Sequence, residues 1–134
     1  MQKIKTGILL LIALATFANG VWMVLFPENW FYKIPAKVPD FGPFNEHFVR
    51  DFGACYFITG LLLLLSFCFN KIQPVAILFA AAFYTIHALT HVFDTGRGHV
   101  DAMHWLVDFP TSYLPAILLI WLASKHIKEL GRQK

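Results

Sequence analysis

The amino-acid sequence predicts an all-α protein, an integral membrane, antiparallel four-helix bundle made by a single domain of residues 1–134. The first observation is composition: 57% of the residues are hydrophobic and only 14% are charged, whereas ordinary soluble domains have about 25% charged residues. The second is a set of four apolar stretches, each close to the ~20 residues that a helix needs to cross a bilayer. Because backbone polar groups in lipid must be satisfied within the segment, each stretch is expected to be helical.

The four predicted helices cover residues of about 4–26, 47–69, 72–93 and 104–124. The first follows Lys3 and Lys5 and so resembles a signal peptide, but its apolar run continues to Phe26, further than such a peptide needs. We therefore expect it to remain as a membrane helix. Only short segments join the second helix to the third and the third to the fourth, so these neighbours are expected to be antiparallel.

Residues 27–46 form the one long connection, between the first and second helices. Its four prolines are incompatible with a regular helix throughout the segment. It is also rich in Trp, Phe and Tyr, which favour membrane interfaces. We expect an aromatic loop that lies on the interface or folds over the end of the bundle. Two further prolines, Pro110 and Pro115, are expected to kink the fourth helix.

Basic residues are distributed unevenly over the two ends of the predicted bundle. One end carries Lys3, Lys5, Lys71, Lys125, Lys128, Arg132 and Lys134, and the other carries Lys33, Lys37, Arg50 and Arg97. The excess of basic residues on cytoplasmic loops predicts that both termini are cytoplasmic. Membrane orientation thus explains the net charge of +3. No basic patch with interleaved aromatic residues indicates a nucleic-acid partner, so the expected partner is the lipid bilayer.

Histidine and aspartate residues concentrate at the other, extracytoplasmic end of the second, third and fourth helices. On each helix two of them are four residues apart, which places both on one helix face: His47 and Asp51, His87 and His91, His104 and Asp108. Such stripes should turn away from hydrocarbon, because exposing them to lipid is costly. The sequence therefore predicts a pocket at this end. The candidate ligand-binding residues are Asn45, Arg50, Asp51, Asp94 and Asp108, and the candidate metal ligands are His47, His87, His91 and His104.

Three interpretations of this pocket stay open. In the structural one, Arg50 pairs with an aspartate and the histidines hydrogen-bond between helices. In the second, His87 and His91 hold a transition metal or a haem, other helices supply further ligands, and aspartates orient the imidazoles. In the third, the pocket binds a small molecule or a lipid headgroup, since histidine titrates near neutrality and Arg50 suits a carboxylate or phosphate.

A short motif lies at the start of the second helix, where Arg50-Asp51-Phe52-Gly53 is followed by Gly60 and preceded by a proline-rich loop ending in Phe44-Asn45. In this motif, and in length and helix count over the whole chain, the sequence resembles the small four-helix inner-membrane proteins grouped as DoxX-like. The resemblance implies a bacterial inner membrane and a quinone-linked redox or oxidative-stress complex. Histidine pairs are not a general feature of that family, so the resemblance assigns no role to a residue of the pocket.

Small residues in the first two helices predict close packing. Gly53 and Gly60 are seven apart, and Gly20 lies midway in the first helix. The predicted function is that of a polytopic membrane protein whose extracytoplasmic pocket binds a metal or redox cofactor or a small ligand. The alternative is a non-catalytic structural or assembly subunit of a larger membrane complex. Catalysis and homo-oligomer formation are left open.

Overall fold

The computed structural model describes residues 2–131, and the side chains of residues 3–124, as a helical bundle in which no strand is found. Its helices are α1 (Gln2–Leu25), α2 (Pro27–Lys33), α3 (Glu46–Cys68), α4 (Gln73–Gly96), α5 (His104–Val107) and α6 (Leu114–Gly131). Two 3-10 turns (Val38–Phe41 and Asn70–Ile72) and a π-helical turn (Phe109–Tyr113) complete the described elements. The predicted all-helical fold is confirmed.

Four helical segments are long and apolar enough to cross a membrane: Lys3–Leu25, Glu46–Cys68, Asn70–Gly96 and His104–Ser124. They match the predicted helices to within three residues, and the largest difference is in the third segment, which continues to Gly96. Many large apolar side chains on their outer faces are exposed, Leu11, Val75 and Leu106 among them. A surface of this kind fits an integral membrane protein, because lipid can cover what water would not.

α1 and α3 approach each other closely because glycines lie at their crossing. A Cβ atom added to Gly20 would come within 2.3 Å of the Phe57 backbone nitrogen, and one added to Gly60 would come within 2.3 Å of the Phe17 nitrogen. Gly53 faces α1 in the same way. The predicted close packing is confirmed, and it fixes which face of α3 is turned toward the rest of the bundle.

The fourth membrane segment is interrupted by the π-helical turn that follows α5. Pro110 has no backbone N–H, and the N–H groups of Ser112 and Tyr113 both donate to the carbonyl of Asp108, at 2.8 and 3.3 Å. The longer of these bonds joins residues that are five apart, as in a π-helix, and widens the helix locally. The kinks predicted at Pro110 and Pro115 stay a prediction, but the π-helical turn contains Pro110, and Asp108 and Ser112 are both buried there.

The connection between α1 and α3 folds over the end of the bundle at which α3 begins and α4 ends, here termed the histidine end. Its Trp30 and Phe31 side chains are buried, and the indole N–H of Trp30 donates to the Asn19 side-chain oxygen at 2.8 Å. Asn45 closes the connection as the N-cap of α3, accepting from the Phe48 N–H at 3.0 Å. The sequence predicts that this segment lies on the membrane interface or folds over the end of the bundle, and the structure shows the second arrangement.

The uneven distribution of basic residues is only partly described. Lys3, Lys5 and Lys71 lie at the end opposite the histidine end, because α1 starts there and Lys71 lies in the turn between α3 and α4. The side chains of Lys125 and Lys128, and residues Arg132 and Lys134, lie outside the described part of the chain. The cytoplasmic location of both termini stays a prediction.

Candidate functional site: a cavity backed by buried histidine and aspartate

A cavity of about 740 Å³ lies between the long helices near the histidine end. Its walls are mostly apolar and aromatic and include Met23, Phe31, Val49, Phe52, Tyr56 and Phe83. A few polar side chains reach it, including Asn45, His87, Thr90, His91, Asp94 and Ser112. This volume lies within the range of small-molecule pockets, and a mostly apolar wall with few polar groups is typical of them.

The cavity opens between α3 and α4. Phe48 on α3 and Ile86 on α4 both line it, yet both are 66% exposed. Residues that are lining and exposed at once lie at an opening, and these two are large and apolar. Gly42, Pro43, Asn45 and Thr90 also line the cavity and are exposed, so the opening extends from the apolar outer surface of the bundle to the histidine end.

His87 lies among aromatic rings in the cavity wall. Its ring stacks on Phe83 with centroids 6.3 Å apart and lies 5.3 Å from Phe52. The His87 Nε2 atom is 3.4 Å from the Ser112 hydroxyl, and its ring meets that of His91 edge-on at 4.6 Å. The two histidines thus present adjacent polar atoms on a mostly apolar wall.

Behind His91 lies a chain of hydrogen-bonding side chains, Asp40–His104–Asp108–His91, here termed the polar chain. The Oδ2 atom of Asp108 is 2.8 Å from His91 Nδ1 and 3.3 Å from His104 Nδ1. The other ring nitrogen of His104, Nε2, is 3.2 Å from Asp40 Oδ2. Asp40 belongs to the 3-10 turn over the bundle end, so the chain joins this turn to α4 through α5.

Burial along the polar chain changes from one end to the other. The side chain of Asp40 is 47% exposed, those of His104 and Asp108 are 0% exposed, and that of His91 is 15% exposed. The Phe41 ring covers both imidazoles, at 5.0 Å from His91 and 4.8 Å from His104. The second oxygen of Asp108, Oδ1, is buried and has no hydrogen-bond partner among the described residues. Orphaned buried acceptors of this kind are uncommon and call for an explanation.

The structure divides the predicted site residues into three groups. Those that line the cavity are Asn45, His87, His91 and Asp94. His104 and Asp108 lie behind the wall and reach the cavity through His91. Asp94 also forms an ion pair with Arg97 at 2.8 Å. The ligand-binding and metal-binding roles predicted for these residues stay predictions.

The third group, on α3, does not belong to the cavity. His47 is 88% exposed and pairs with Asp51 at 3.3 Å. Arg50 pairs with Glu46 at 2.9 Å instead of with an aspartate, and it also donates to the Val24 carbonyl at the end of α1. The expectation that all three stripes share one pocket is wrong for α3. The reason is the glycine contact with α1, which turns an aromatic face of α3, not its polar stripe, toward the cavity.

A metal centre of three or more ligands is not assembled by the described side chains. Among the side chains of residues 3–124, no three His, Cys, Asp or Glu groups are placed to hold one metal ion. A haem held between two helices needs an unoccupied histidine nitrogen on each. His104 lies on the segment that faces His87 and His91, but both of its ring nitrogens are engaged by carboxylates. His104 therefore has no nitrogen left to bind a haem together with one of them.

Asp40, Phe41 and Ser112 are site residues that the sequence analysis did not identify. Asp40 is one of three acidic residues in the connection, with Glu28 and Glu46, and no spacing pattern singles it out. Comparisons with protein families, with curated proteins and with solved structures find no match.

Proposed function

We propose that this chain is a membrane protein that binds a lipid-soluble small molecule with a hydrogen-bonding headgroup in the cavity between α3 and α4. The observation that carries this proposal is an aromatic-walled cavity of about 740 Å³ with two adjacent histidines in its wall. The exposed Phe48 and Ile86 at its opening provide a route from the bilayer.

The lining suits a ligand that has an apolar part and a polar headgroup. Phe52, Tyr56 and Phe83 suit a ring or an alkyl chain, because apolar contact favours binding by about 25 cal/mol per Å² of buried surface. His87 and His91 suit an oxygen-bearing headgroup, because each imidazole can donate or accept a hydrogen bond. Each such bond contributes about 1 kcal/mol, or about a fivefold change in affinity.

The resemblance to DoxX-like proteins adds a biological setting to the proposal. It would place the chain in a bacterial inner membrane, near quinone-linked redox or oxidative-stress proteins, and the distribution of basic residues would place both termini in the cytoplasm. Quinones and their reduced quinols have a ring, an apolar tail and oxygen headgroups, so they are among the ligands to test first.

The test is binding of three probes to the detergent-purified protein: a short-chain quinone, an alkyl phenol and a phospholipid. Thermal unfolding would measure stabilisation, which grows with probe concentration when only the folded state binds, and native mass spectrometry would measure stoichiometry. We expect one probe to bind saturably, one molecule per chain. Val49→Trp, which fills the cavity from its buried wall, should abolish binding. A His87→Ala, His91→Ala double variant should weaken binding by about 10-fold or more.

The matched control is His47→Ala, which removes a histidine at the same end of the bundle but outside the cavity. It should bind the probe as the wild type does. Probe uptake that is unsaturable and equal in every variant would be partition into the micelle, and would leave the alternative of a structural or assembly subunit. Stoichiometric metal or haem that disappears in the double variant would instead establish a cofactor centre.

A further inference from the structure

The polar chain connects the exposed surface of the histidine end with the cavity without a break. Each neighbouring pair of its four side chains lies at 2.8–3.3 Å. Asp40, at one end, is 47% exposed. His91, at the other end, uses Nδ1 for Asp108 and lines the cavity, which leaves its Nε2 atom for a bound headgroup.

The bonding partners of His104 determine how protons are arranged in this chain. Both of its ring nitrogens face carboxylate oxygens, and an ionised carboxylate can only accept a hydrogen bond. Either His104 is protonated on both nitrogens, or it is neutral and one carboxyl group, Asp40 or Asp108, holds the proton. These arrangements contain the same number of protons and differ only in the position of one. A proton can therefore shift along these contacts without any other group being protonated.

The middle of the polar chain is closed to solvent. The side chains of His104 and Asp108 are 0% exposed, and the Phe41 ring covers both histidines. Burying the Asp108 carboxylate with two imidazoles is costly compared with apolar packing. A loop could be fastened to the bundle by neutral groups at lower cost. The use of four titratable groups in an unbroken row suits proton transfer better than simple attachment.

We propose that Asp40, His104, Asp108 and His91 form a proton path between the exposed surface and a weakly acidic ligand in the cavity, such as a lipophilic phenol. This proposal rests on the proposed function. The ligand hydroxyl gives its proton to His91 Nε2, while the Nδ1 proton of His91 passes to Asp108 Oδ2. In the arrangement with neutral His104 and protonated Asp108, Asp108 gives the proton that it held to His104 Nδ1, and the Nε2 proton of His104 passes to the ionised Asp40 and then to water. One proton leaves the ligand and one enters water, so charge and atoms balance without an oxidant or a reductant.

Two other titratable groups face the His91 end of the path. His87 lies beside His91 on α4, but its nearest polar partner is the Ser112 hydroxyl rather than Asp108. Asp94 lines the cavity and is held by Arg97. Neither is joined to Asp40 by the hydrogen bonds described for residues 3–124, so removal of Asp40 tests the path without altering them.

The experiment uses a 4-nitrophenol that carries an alkyl chain, because its phenolate is yellow and its phenol is not. The probe is bound to the detergent-purified protein, the pH is changed rapidly, and the colour of the bound probe is followed in time. The decisive variant is Asp40→Asn, since the amide oxygen can still accept a hydrogen bond from His104 but cannot take up a proton. The matched control is Asp51→Asn, an exposed aspartate at the same end that lies outside the path.

If the path operates, Asp40→Asn should slow the change in ionisation of the bound probe on the order of 10²-fold. Its probe affinity and thermal stability should stay close to those of the wild type, and Asp51→Asn should change none of the three. Equal rates in the wild type and in Asp40→Asn would overturn the path, because the probe would then exchange protons with water through the cavity opening. Weaker affinity with an unchanged rate would also overturn it and would assign the polar chain to loop attachment. Absence of saturable probe binding in the wild type would instead count against the proposed function.

Discussion

The glycine contact between α1 and α3 gives a direct test of the packing. In Gly60→Ala the new Cβ would lie 2.3 Å from the backbone nitrogen of Phe17 and 2.5 Å from its Cα, whereas atoms in contact normally lie about 3.5 Å apart or more. The obstacle is backbone, so it cannot rotate away, and the two helices must separate by about 1 Å. Overpacking of this kind costs about 2 kcal/mol, or about a 30-fold change in the unfolding equilibrium.

The assay is the free energy of unfolding in mixed detergent micelles, measured by helix content during titration with a denaturing detergent. The matched control is Gly7→Ala on α1, where a Cβ would meet nothing within 4 Å. Because alanine is the better helix former, Gly7→Ala should be neutral or more stable by up to about 1 kcal/mol. A Gly60→Ala protein as stable as the Gly7→Ala protein would refute the close crossing of α1 and α3.

Three further predictions concern polar contacts at the histidine end. Asp108→Leu should lower the free energy of unfolding by about 3 kcal/mol, because it leaves two buried imidazoles without their shared acceptor; Asp51→Leu, at an exposed position, should change it by less than about 0.5 kcal/mol in the same titration. Arg50→Met should cost about 1 kcal/mol, because the carbonyl at the end of α1 loses its charged donor; unchanged stability would show that this contact contributes nothing. Trp30→Phe should lower the free energy of unfolding by about 1 kcal/mol, because the hydrogen bond to Asn19 is lost, and should speed protease cleavage of residues 34–45. A cleavage rate like that of the wild type would show that this bond does not hold the connection on the bundle.

The number, length and order of the membrane helices could be predicted from the sequence because the physical cause is local. An apolar run of about 20 residues must be helical in lipid whatever its neighbours are. The π-helical turn has an equally local cause in Pro110. The contact faces of Gly20 and Gly60 were predictable for a similar reason, since small residues in membrane helices mark close contacts.

The rotation of α3 could not be predicted in the same way. The spacing of His47 and Asp51 correctly places them on one face, but it does not say which neighbour that face meets. At the end of a helix, a polar stripe can face water or headgroups as readily as a pocket. The glycines of α3 determine its rotation, because they face α1 and Val49 and Phe52 then face the cavity.

The part of the site that depends on the long connection could not be predicted from the sequence either. Asp40 is 64 residues away from His104 along the chain, and no periodic pattern relates them. Their contact depends on how the connection folds over the bundle, which is decided by buried Trp30 and Phe31. Irregular segments of this kind are positioned by tertiary packing rather than by local spacing.

The pairing of α1 with α3 has a consequence for biogenesis. Both helices and the connection between them lie in residues 2–68, so this interface is complete before α4 has been synthesised. Chains are made from the N-terminus, and segments that can associate early do so while the remainder is still being translated. The first half of the bundle can therefore serve as a preassembled template against which α4 and α6 are inserted, and the cavity comes into being only with that last step.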